Sequence, residues 1–366
     1  MILCRAVYGE IMSFPKKTDV SIPHEQPSGG VHTQLSELSP AYFGMAMATG
    51  IVSLGTQLVG LNSIANALFL LNIIAYTTLL ILTVLRMSLY PRRFFGDMTD
   101  HLRGSGFFTT IAATGILGSQ FILLKSNYFV GAIFLVVAVL LWVGLTYTIF
   151  ASFTIKEEKP TLDKGISGAW LLIAILSALL AEHVGQPGKL EMNFLALSMW
   201  LWGGMLYIWM MSLIFYRYTF FPFSPADLSP PYWINMGAMA ISTLAGSLLI
   251  INVPHAPYLA SLLPFIKGFT VFYWVTGTWW IPMLLILGIW RHVYKRFPLK
   301  YDPLYWGAVF PLGMYAVSTG RMSQAMGFDF LWFLAPVFLC IALLAWTMTF
   351  SGLVKDFLRR ARAFRV

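Results

Sequence analysis

The chain has 366 residues, of which 58% are hydrophobic and only 11% are charged, and its formal net charge is +9. Soluble globular domains carry roughly one-quarter charged residues, so this composition excludes an ordinary soluble enzyme or binding domain. It indicates a protein that crosses a membrane several times.

The first segment, residues 1–38, is polar, contains Pro and Gly, and has neither helical nor strand periodicity. It also lacks the apolar core of a signal peptide. We therefore predict a disordered cytoplasmic tail with no order before about Glu37.

Ten apolar stretches follow, each close to the length of about 20 residues that a membrane-spanning helix needs. Runs such as LLNIIAYTTLLILTVL do not alternate polar with apolar residues, which favours helices over the strands of a membrane barrel. The predicted spans are 40–60, 63–86, 105–124, 128–153, 167–186, 192–216, 232–252, 264–291, 304–323 and 330–352.

The basic residues follow every second span. Of the 24 Lys and Arg residues, only Lys125, Lys189, Lys267 and Arg321 lie on the other side of the predicted membrane. Positively charged loops stay in the cytoplasm, so both termini are predicted to be cytoplasmic and the protein to be a multi-pass protein of the plasma (inner) membrane. The charge is spread over loops without a soluble domain, which argues against nucleic-acid binding.

An aromatic residue near the start of every odd-numbered span suggests an internal repeat. The markers are Tyr42, Phe107, Trp170, Tyr232 and Tyr305. Consecutive markers are one helical hairpin apart, so the chain reads as five copies of a two-helix unit. The prediction is an all-α membrane protein of ten transmembrane helices, built as five parallel-repeated hairpins around a central pore.

The odd-numbered spans carry most of the small and hydroxyl residues, whereas the even-numbered spans are aliphatic and aromatic. Small residues permit close helix packing, and hydroxyls in a membrane need partners or water, so the odd-numbered helices are predicted to lie inside. The predicted pore-lining residues among them are Thr49, Gly50, Thr114, Gly115, Ser242, Thr243 and Gly313. Almost all acidic residues lie outside the spans, which favours an anion or a neutral solute over a cation.

Several fragments in order resemble one transporter family. They include SPAYFGMAMATGIVSL, RRFFGDMTDHLRG, PPYWINMGAMAISTLAG and VFPLGMY, and the similarity runs from about Ser39 to Leu353. Together they resemble the tellurite-resistance/dicarboxylate transporter family, which includes the plant slow-type anion channels. The resemblance implies ten helices around a pore, a homotrimer, and passage of small anions or malate-like dicarboxylates.

The same resemblance implies a pore gate on the ninth helix. The family's gating phenylalanine corresponds to Phe310, and its glycines beside that ring correspond to Gly44 or Gly50, without a choice between the two. Pro311 would leave the carbonyl of Gly307 without its helical donor, and Gly313 loosens the same helix. Such features are tolerable where a helix borders a path that water or an anion enters.

Three ionisable residues within or at the end of spans have two interpretations each. Arg321 either attracts anions at the outer mouth or extends to the membrane interface. Glu182 and His183 form a carboxylate–imidazole pair that could couple or sense protons, or else a hydrophilic helix end before Gln186-Pro187-Gly188.

Metal and cofactor sites are not expected. Asp97, Asp100 and His101 could suggest a metal site, but Arg92, Arg93 and Arg103 lie in the same loop, so a salt-bridged loop is the prediction. Neither Cys4 nor Cys340 has a partner for a disulfide or a metal cluster. The C-terminal residues 353–366 are basic and amphipathic, which suits either an interfacial helix or an anchoring segment.

Three functions remain open at this point. The first is an anion channel or facilitative transporter, and the second is a proton-coupled dicarboxylate or oxyanion (tellurite or sulfite) carrier. The third, a membrane-embedded enzyme that detoxifies an oxyanion, lacks a nucleotide-binding motif or a Cys or His pair in the membrane, so we predict no enzymatic activity.

Overall fold

The computed structural model describes residues 31–100, 103–155, 169–181, 183, 188–222, 224–225, 227–228, 230–298 and 301–363. The chain divides into two units, Met1–Glu37 and Leu38–Val366. The described part of the first unit contains a short helix, α1 (Val31–Ser36), in a stretch predicted to be without order. Residues 1–30, the rest of the predicted tail, lie outside the described part.

The second unit is helical and has no strand among its described residues, which confirms the all-α prediction. Its first helices are α2 (Phe43–Leu58), α3 (Asn62–Leu89), α4 (Pro91–Thr99), α5 (Phe108–Lys125) and α6 (Tyr128–Ile155). The remaining helices are α7 (Ala169–Ala181), α8 (Gly188–Phe220), α9 (Ile234–Ile251), α10 (Pro257–Ile289), α11 (Trp306–Met326) and α12 (Leu334–Ala363). A helix occupies each of the ten predicted ranges, and α4 is an additional short helix after the second.

Six helical stretches within the described residues are long and apolar enough to cross a membrane by themselves. They are 62–89, 104–125, 128–155, 188–220, 257–294 and 329–359, which correspond to α3, α5, α6, α8, α10 and α12. Helices α2, α7, α9 and α11 are shorter or more polar. Because these four pack against other helices, they need less apolar surface of their own.

Burial separates the helices into an inner and an outer set. In the most apolar window of α5, 83% of the residues are buried, whereas the corresponding share is 17% in α12 and 22% in α10. Residues of α2, α7, α9 and α11 are likewise buried along most of their described length. The predicted inside position of the odd-numbered spans agrees with this burial.

The inner helices contact one another in a closed order. Helix α2 packs on α5, α5 on α7, α7 on α9, α9 on α11, and α11 returns to α2. Each inner helix also packs on the helix that follows it, from α2 with α3 to α11 with α12. The five inner helices therefore surround a common axis.

Glycines allow these inner helices to approach closely. A Cβ atom on Gly313 of α11 would lie 3.0 Å from Cγ2 of Ile51 in α2. A Cβ atom on Gly237 of α9 would lie 2.9 Å from Cγ of Pro311 in α11. Any larger side chain at either position would push the neighbouring helices apart.

Several helices run further than predicted, among them α10, α11 and α12. Helix α10 begins at Pro257 and continues through Pro264 and Pro282, and α12 continues without a break to Ala363. Helix α11 is continuous through Pro311, so its backbone is not interrupted there. It ends at Met326, and the next residue, Gly327, has a φ of 70°, which suits a residue without a Cβ atom.

Candidate functional site

A small cavity lies between the five inner helices, toward their C-terminal ends. Its volume is about 20 Å³, roughly the space that one water molecule occupies. Helices α2, α5, α7, α9 and α11 all contribute to its wall. The cavity therefore lies on the common axis of the inner ring.

The wall of the cavity is mainly aliphatic. We use the term aliphatic collar for its eight apolar residues, which are Leu54, Leu58, Leu123, Ile175, Leu179, Leu244, Leu248 and Val317. None of these residues was predicted from the sequence to belong to a site. A signal was present, because Leu244 and Leu248 repeat at the four-residue spacing that keeps two side chains on one helix face.

Three polar residues complete the wall. The Nε2 of Gln57 donates a hydrogen bond to the Leu123 carbonyl at 3.2 Å, and the Ser119 hydroxyl donates to the Gly115 carbonyl at 2.8 Å. Arg321 is half-buried and donates to Oε1 of Gln324 at 3.2 Å. Since a guanidinium stays protonated, Arg321 gives the cavity a permanent positive charge.

Phe310 lies on the same face of α11 as the cavity residues. Val317 and Arg321 follow it by seven and eleven residues, which are close to whole numbers of helical turns. The Phe310 side chain is only 2% exposed and belongs to the main apolar core. It lies about 10 Å before Val317 along the helix, so it is closer to the N-terminal end of α11 than the cavity is.

Pro311 and Gly313 contact neighbouring helices. Pro311 packs against Gly237 of α9, and Gly313 packs against Ile51 and Val52 of α2. Pro311 and Gly313 therefore set the distances from α11 to the two adjacent inner helices.

Two predicted pore-lining hydroxyls face outer helices. The Thr49 hydroxyl accepts a hydrogen bond from Nε1 of Trp346 in α12 at 3.0 Å. The Thr114 hydroxyl lies 2.8 Å from the Tyr76 hydroxyl of α3 and donates to the Thr110 carbonyl. Both groups stabilise contacts between helices and do not line the cavity.

Hydrogen bonds within the helix bundle also involve Ser242, Thr243 and Gly115. The Ser242 carbonyl accepts from Nε1 of Trp200 in α8, and its hydroxyl donates to the Ala238 carbonyl. Thr243 donates to the Met239 carbonyl at 2.9 Å, and the Gly115 carbonyl accepts from Ser119. None of the three belongs to the cavity wall, although Ser119 does.

The aromatic donors form a recurring link between hairpins. Each connects an outer helix to the inner helix of the next hairpin: Tyr76 of α3 to α5, Trp200 of α8 to α9, Trp274 of α10 to α11, and Trp346 of α12 to α2. The last of these links closes the circle. Sequence periodicity could not reveal it, because the partners are far apart in the chain.

The two family-derived glycines lie at different interfaces. A Cβ atom on Gly50 would clash with Ile116 of α5 and with the Asn72 side chain of α3. A Cβ atom on Gly44 would lie 3.7 Å from Cβ of Trp306 at the start of α11, an ordinary van der Waals distance. Gly50 is therefore required by helix packing, whereas Gly44 leaves room next to α11.

The proposed proton-coupling pair is only partly described. Glu182 lies outside the described residues. His183 is exposed, and its ring stacks on Tyr128 at the start of α6 with a centroid separation of 3.4 Å. His183 thus lies at the surface, away from the cavity wall.

The acidic loop residue Asp97 forms ion pairs, as predicted. Arg103 contacts its carboxylate at 3.0 Å, and the buried Arg86 contacts the other oxygen. This cluster joins the end of α3 to α4 and to the approach of α5. The Asp100 carboxylate accepts a hydrogen bond from the backbone N–H of Arg103 at 2.9 Å, and His101, the third possible ligand, lies outside the described residues.

These features define a class of protein: an all-helical membrane protein with a charged, mainly aliphatic cavity on the axis of an inner helix ring. A family model described as voltage-dependent anion channel (SLAC1) matches residues 37–354. The chain therefore belongs to the SLAC1 family of anion channels and transporters, and the resemblance found in the sequence is confirmed. This is a channel and transporter family and not a family of enzymes.

Three relatives match this chain over most of their own length, and two of them are named as a transporter or a pump. A protein of Methanocaldococcus jannaschii named as an uncharacterized transporter is 26% identical over 82% of this chain and 89% of its own length. A sulfite efflux pump of Trichophyton rubrum is 22% identical over 87% of this chain and 90% of its own. A membrane protein of Mycobacterium tuberculosis is 39% identical over 41% of this chain and 75% of its own.

Proposed function

We propose that this protein is a channel or facilitative transporter that moves small anions along the axis of its five inner helices, with Phe310 as the gate. The observation that carries the proposal is the axial cavity, because all five inner helices line it and Arg321 adds a positive charge to its wall. Phe310 shares the face of α11 that Val317 and Arg321 present to that cavity.

We propose small inorganic anions as the main substrates. An anion approaching the mouth is attracted by Arg321, and among the described residues no acidic side chain belongs to the cavity wall to repel it. Sulfite enters the substrate panel because two fungal relatives are named as sulfite efflux pumps. Malate-like dicarboxylates are several times larger than the water-sized cavity, so their passage would need a wider opening of the inner ring.

The arrangement in the membrane belongs to the same proposal. We propose ten transmembrane helices in five parallel hairpins in the plasma (inner) membrane, with both termini in the cytoplasm. Each subunit would then enclose its own path, as in a homotrimer, and the apolar outer helices would face lipid or a neighbouring subunit. We propose no enzymatic step and no cofactor.

The function can be tested by anion flux into proteoliposomes that contain the purified protein. We expect chloride, nitrate and sulfite to move down their electrochemical gradients, with protein-free liposomes as the control. Absence of flux for every anion in the panel, from protein that is folded and correctly inserted, would contradict the proposal.

A proton-coupled carrier is the alternative, and a pH gradient separates the two. Uptake of an anion against its own electrochemical gradient, driven by protons, would favour the carrier. Because His183 is exposed and lies away from the cavity, we expect a His183→Gln variant to leave anion flux unchanged.

A further inference from the structure

We infer that the aliphatic collar is a second constriction, in series with Phe310, that restricts anion passage even when the Phe310 ring has moved away. This inference rests on the proposed function. It assigns a specific role to residues of α2, α5, α7, α9 and α11 that contact the axis beyond the gate.

The collar and the gate are separate places on the axis. Val317, the collar residue on α11, lies seven residues beyond Phe310, a rise of about 10 Å. A phenylalanine ring cannot fill both positions. Removal of the Phe310 side chain therefore leaves the collar in place.

The collar is narrow as well as apolar. The cavity between its residues is about 20 Å³, which has room for roughly one water molecule. An anion in that space would have to give up most of its hydration shell. The cost of such desolvation is large unless donors on the wall replace the lost water.

The two neutral polar side chains of the wall already donate hydrogen bonds to backbone carbonyls, which leaves them fewer donors to replace that water. The Ser119 hydroxyl donates to the Gly115 carbonyl, and Nε2 of Gln57 donates to the Leu123 carbonyl. Arg321 is the cavity residue closest to the C-terminal end of α11, one turn beyond Val317. Arg321 would attract an anion to its end of the cavity. The aliphatic side chains would oppose passage of the hydrated anion through the collar, as in a hydrophobic constriction.

Leu248 and Leu249 of α9 provide a matched test. Leu248 contributes to the cavity wall, whereas the adjacent Leu249 is completely buried and does not. Leu248→Ala widens the collar, and Leu249→Ala removes the same atoms from the helix packing. Leu248→Asn keeps the size of the side chain nearly constant and lets water hydrate the collar.

The experiment measures chloride flux of four variants in proteoliposomes: Phe310→Ala alone, and Phe310→Ala combined with Leu248→Ala, Leu248→Asn or Leu249→Ala. We expect both Leu248 combinations to exceed Phe310→Ala alone by at least threefold and the Leu249 combination to match it. Size-exclusion profiles and thermal melting of the same preparations identify any variant that fails to fold. If one Leu248 variant does not fold, the chloride flux of the other Leu248 variant tests the collar.

The outcomes separate the collar from the proposed function. Flux that is raised by Phe310→Ala but not changed further by either Leu248 substitution would overturn the collar and leave the proposed function intact. Flux in the Leu248 combinations but not in Phe310→Ala alone would support the collar as the dominant barrier. No flux in any folded variant would overturn both.

Discussion

The Phe310 ring combines three properties that a steric gate requires. It is 2% exposed, it is apolar, and it lies on the axis-facing side of α11. Its neighbour Pro311 is fixed against Gly237, so the backbone that carries the ring is held from one side. In the proposed gate, a change of the Phe310 rotamer would therefore open the path without a movement of α11.

Phe310→Ala should raise anion flux, because it removes the side chain that we propose as the gate. We expect an increase on the order of tenfold, equivalent to about 1.4 kcal/mol of barrier. Flux in proteoliposomes measures it, and Phe69→Ala is the control. Phe69 is also buried, but it packs on Phe121 at the interface of α3 and α5.

An equal rise of flux in the Phe69 control would indicate general loosening of the helices and not a gate at Phe310. Unchanged flux in a folded Phe310→Ala variant would mean that the barrier lies elsewhere on the axis.

Arg321→Gln should lower anion conductance at low salt, because the positive charge that concentrates anions in the cavity is lost. The difference should shrink as the ionic strength rises, since the Debye length falls from about 30 Å at 0.01 M to about 3 Å at 1 M. Lys267→Gln is the control, because Lys267 is exposed on α10 and does not belong to the cavity wall. An effect that is independent of salt would point to a structural role for Arg321.

At the level of the helices, interfaces between inner helices depend on single glycines. Gly237→Ala would place a Cβ atom 2.9 Å from Cγ of Pro311, and such overpacking costs about 1–3 kcal/mol. We expect a lower melting temperature in detergent. Gly268→Ala on α10 is the control, because its Cβ atom would meet nothing within 4 Å and the change should be neutral or stabilising by about 0.5–1 kcal/mol.

A melting temperature unchanged by Gly237→Ala would contradict close packing of α9 on α11. If both glycine variants were destabilised to the same extent, the loss of stability would come from replacing glycine within a helix and not from the contact with Pro311.

The positions of the helices could be predicted from the sequence, but most of the residues that line the cavity could not. Apolar stretches of sufficient length identify helices directly, and small residues identify the inner set. Thr49 and Thr114 were expected on the axis because a hydroxyl in a membrane needs a partner, but Trp346 and Tyr76 supply that partner from the outer helices. Leu248 could not be predicted, because composition does not distinguish a leucine that lines the cavity from a leucine that faces lipid.

Helix ends were predicted less well than helix positions, for a physical reason. Pro264 and Pro282 remove backbone donors but do not end α10, since its neighbours α8 and α9 hold it in place. Composition also placed the end of the last span near residue 352, whereas α12 continues to Ala363. A change from apolar to charged residues marks a predicted membrane boundary and not the end of a helix.

On the scale of the whole molecule, the proposed orientation predicts which loops can be labelled from which side. In a variant with Cys4 and Cys340 replaced by serine, a cysteine at Gly96 of α4 should react only with reagent from the cytoplasm. A cysteine at Ser126, after α5, should react only from outside. Both positions are exposed, and labelling of intact cells with a membrane-impermeant maleimide measures the difference.

Reaction of the Gly96 cysteine from outside, or of the Ser126 cysteine only after cell lysis, would reverse the orientation derived from the basic loops. Equal reaction of both positions in intact cells would contradict a single orientation.

The link between Trp346 and Thr49 has a consequence for biosynthesis. It joins residues 297 positions apart, so the first inner helix to leave the ribosome obtains this partner only after the last helix has been made. Until then the nascent bundle has an open side, and α2 must be held there by lipid or by the insertion machinery. A chain truncated before α12 would stay in that unfinished state, which makes it a natural substrate for membrane quality-control proteases.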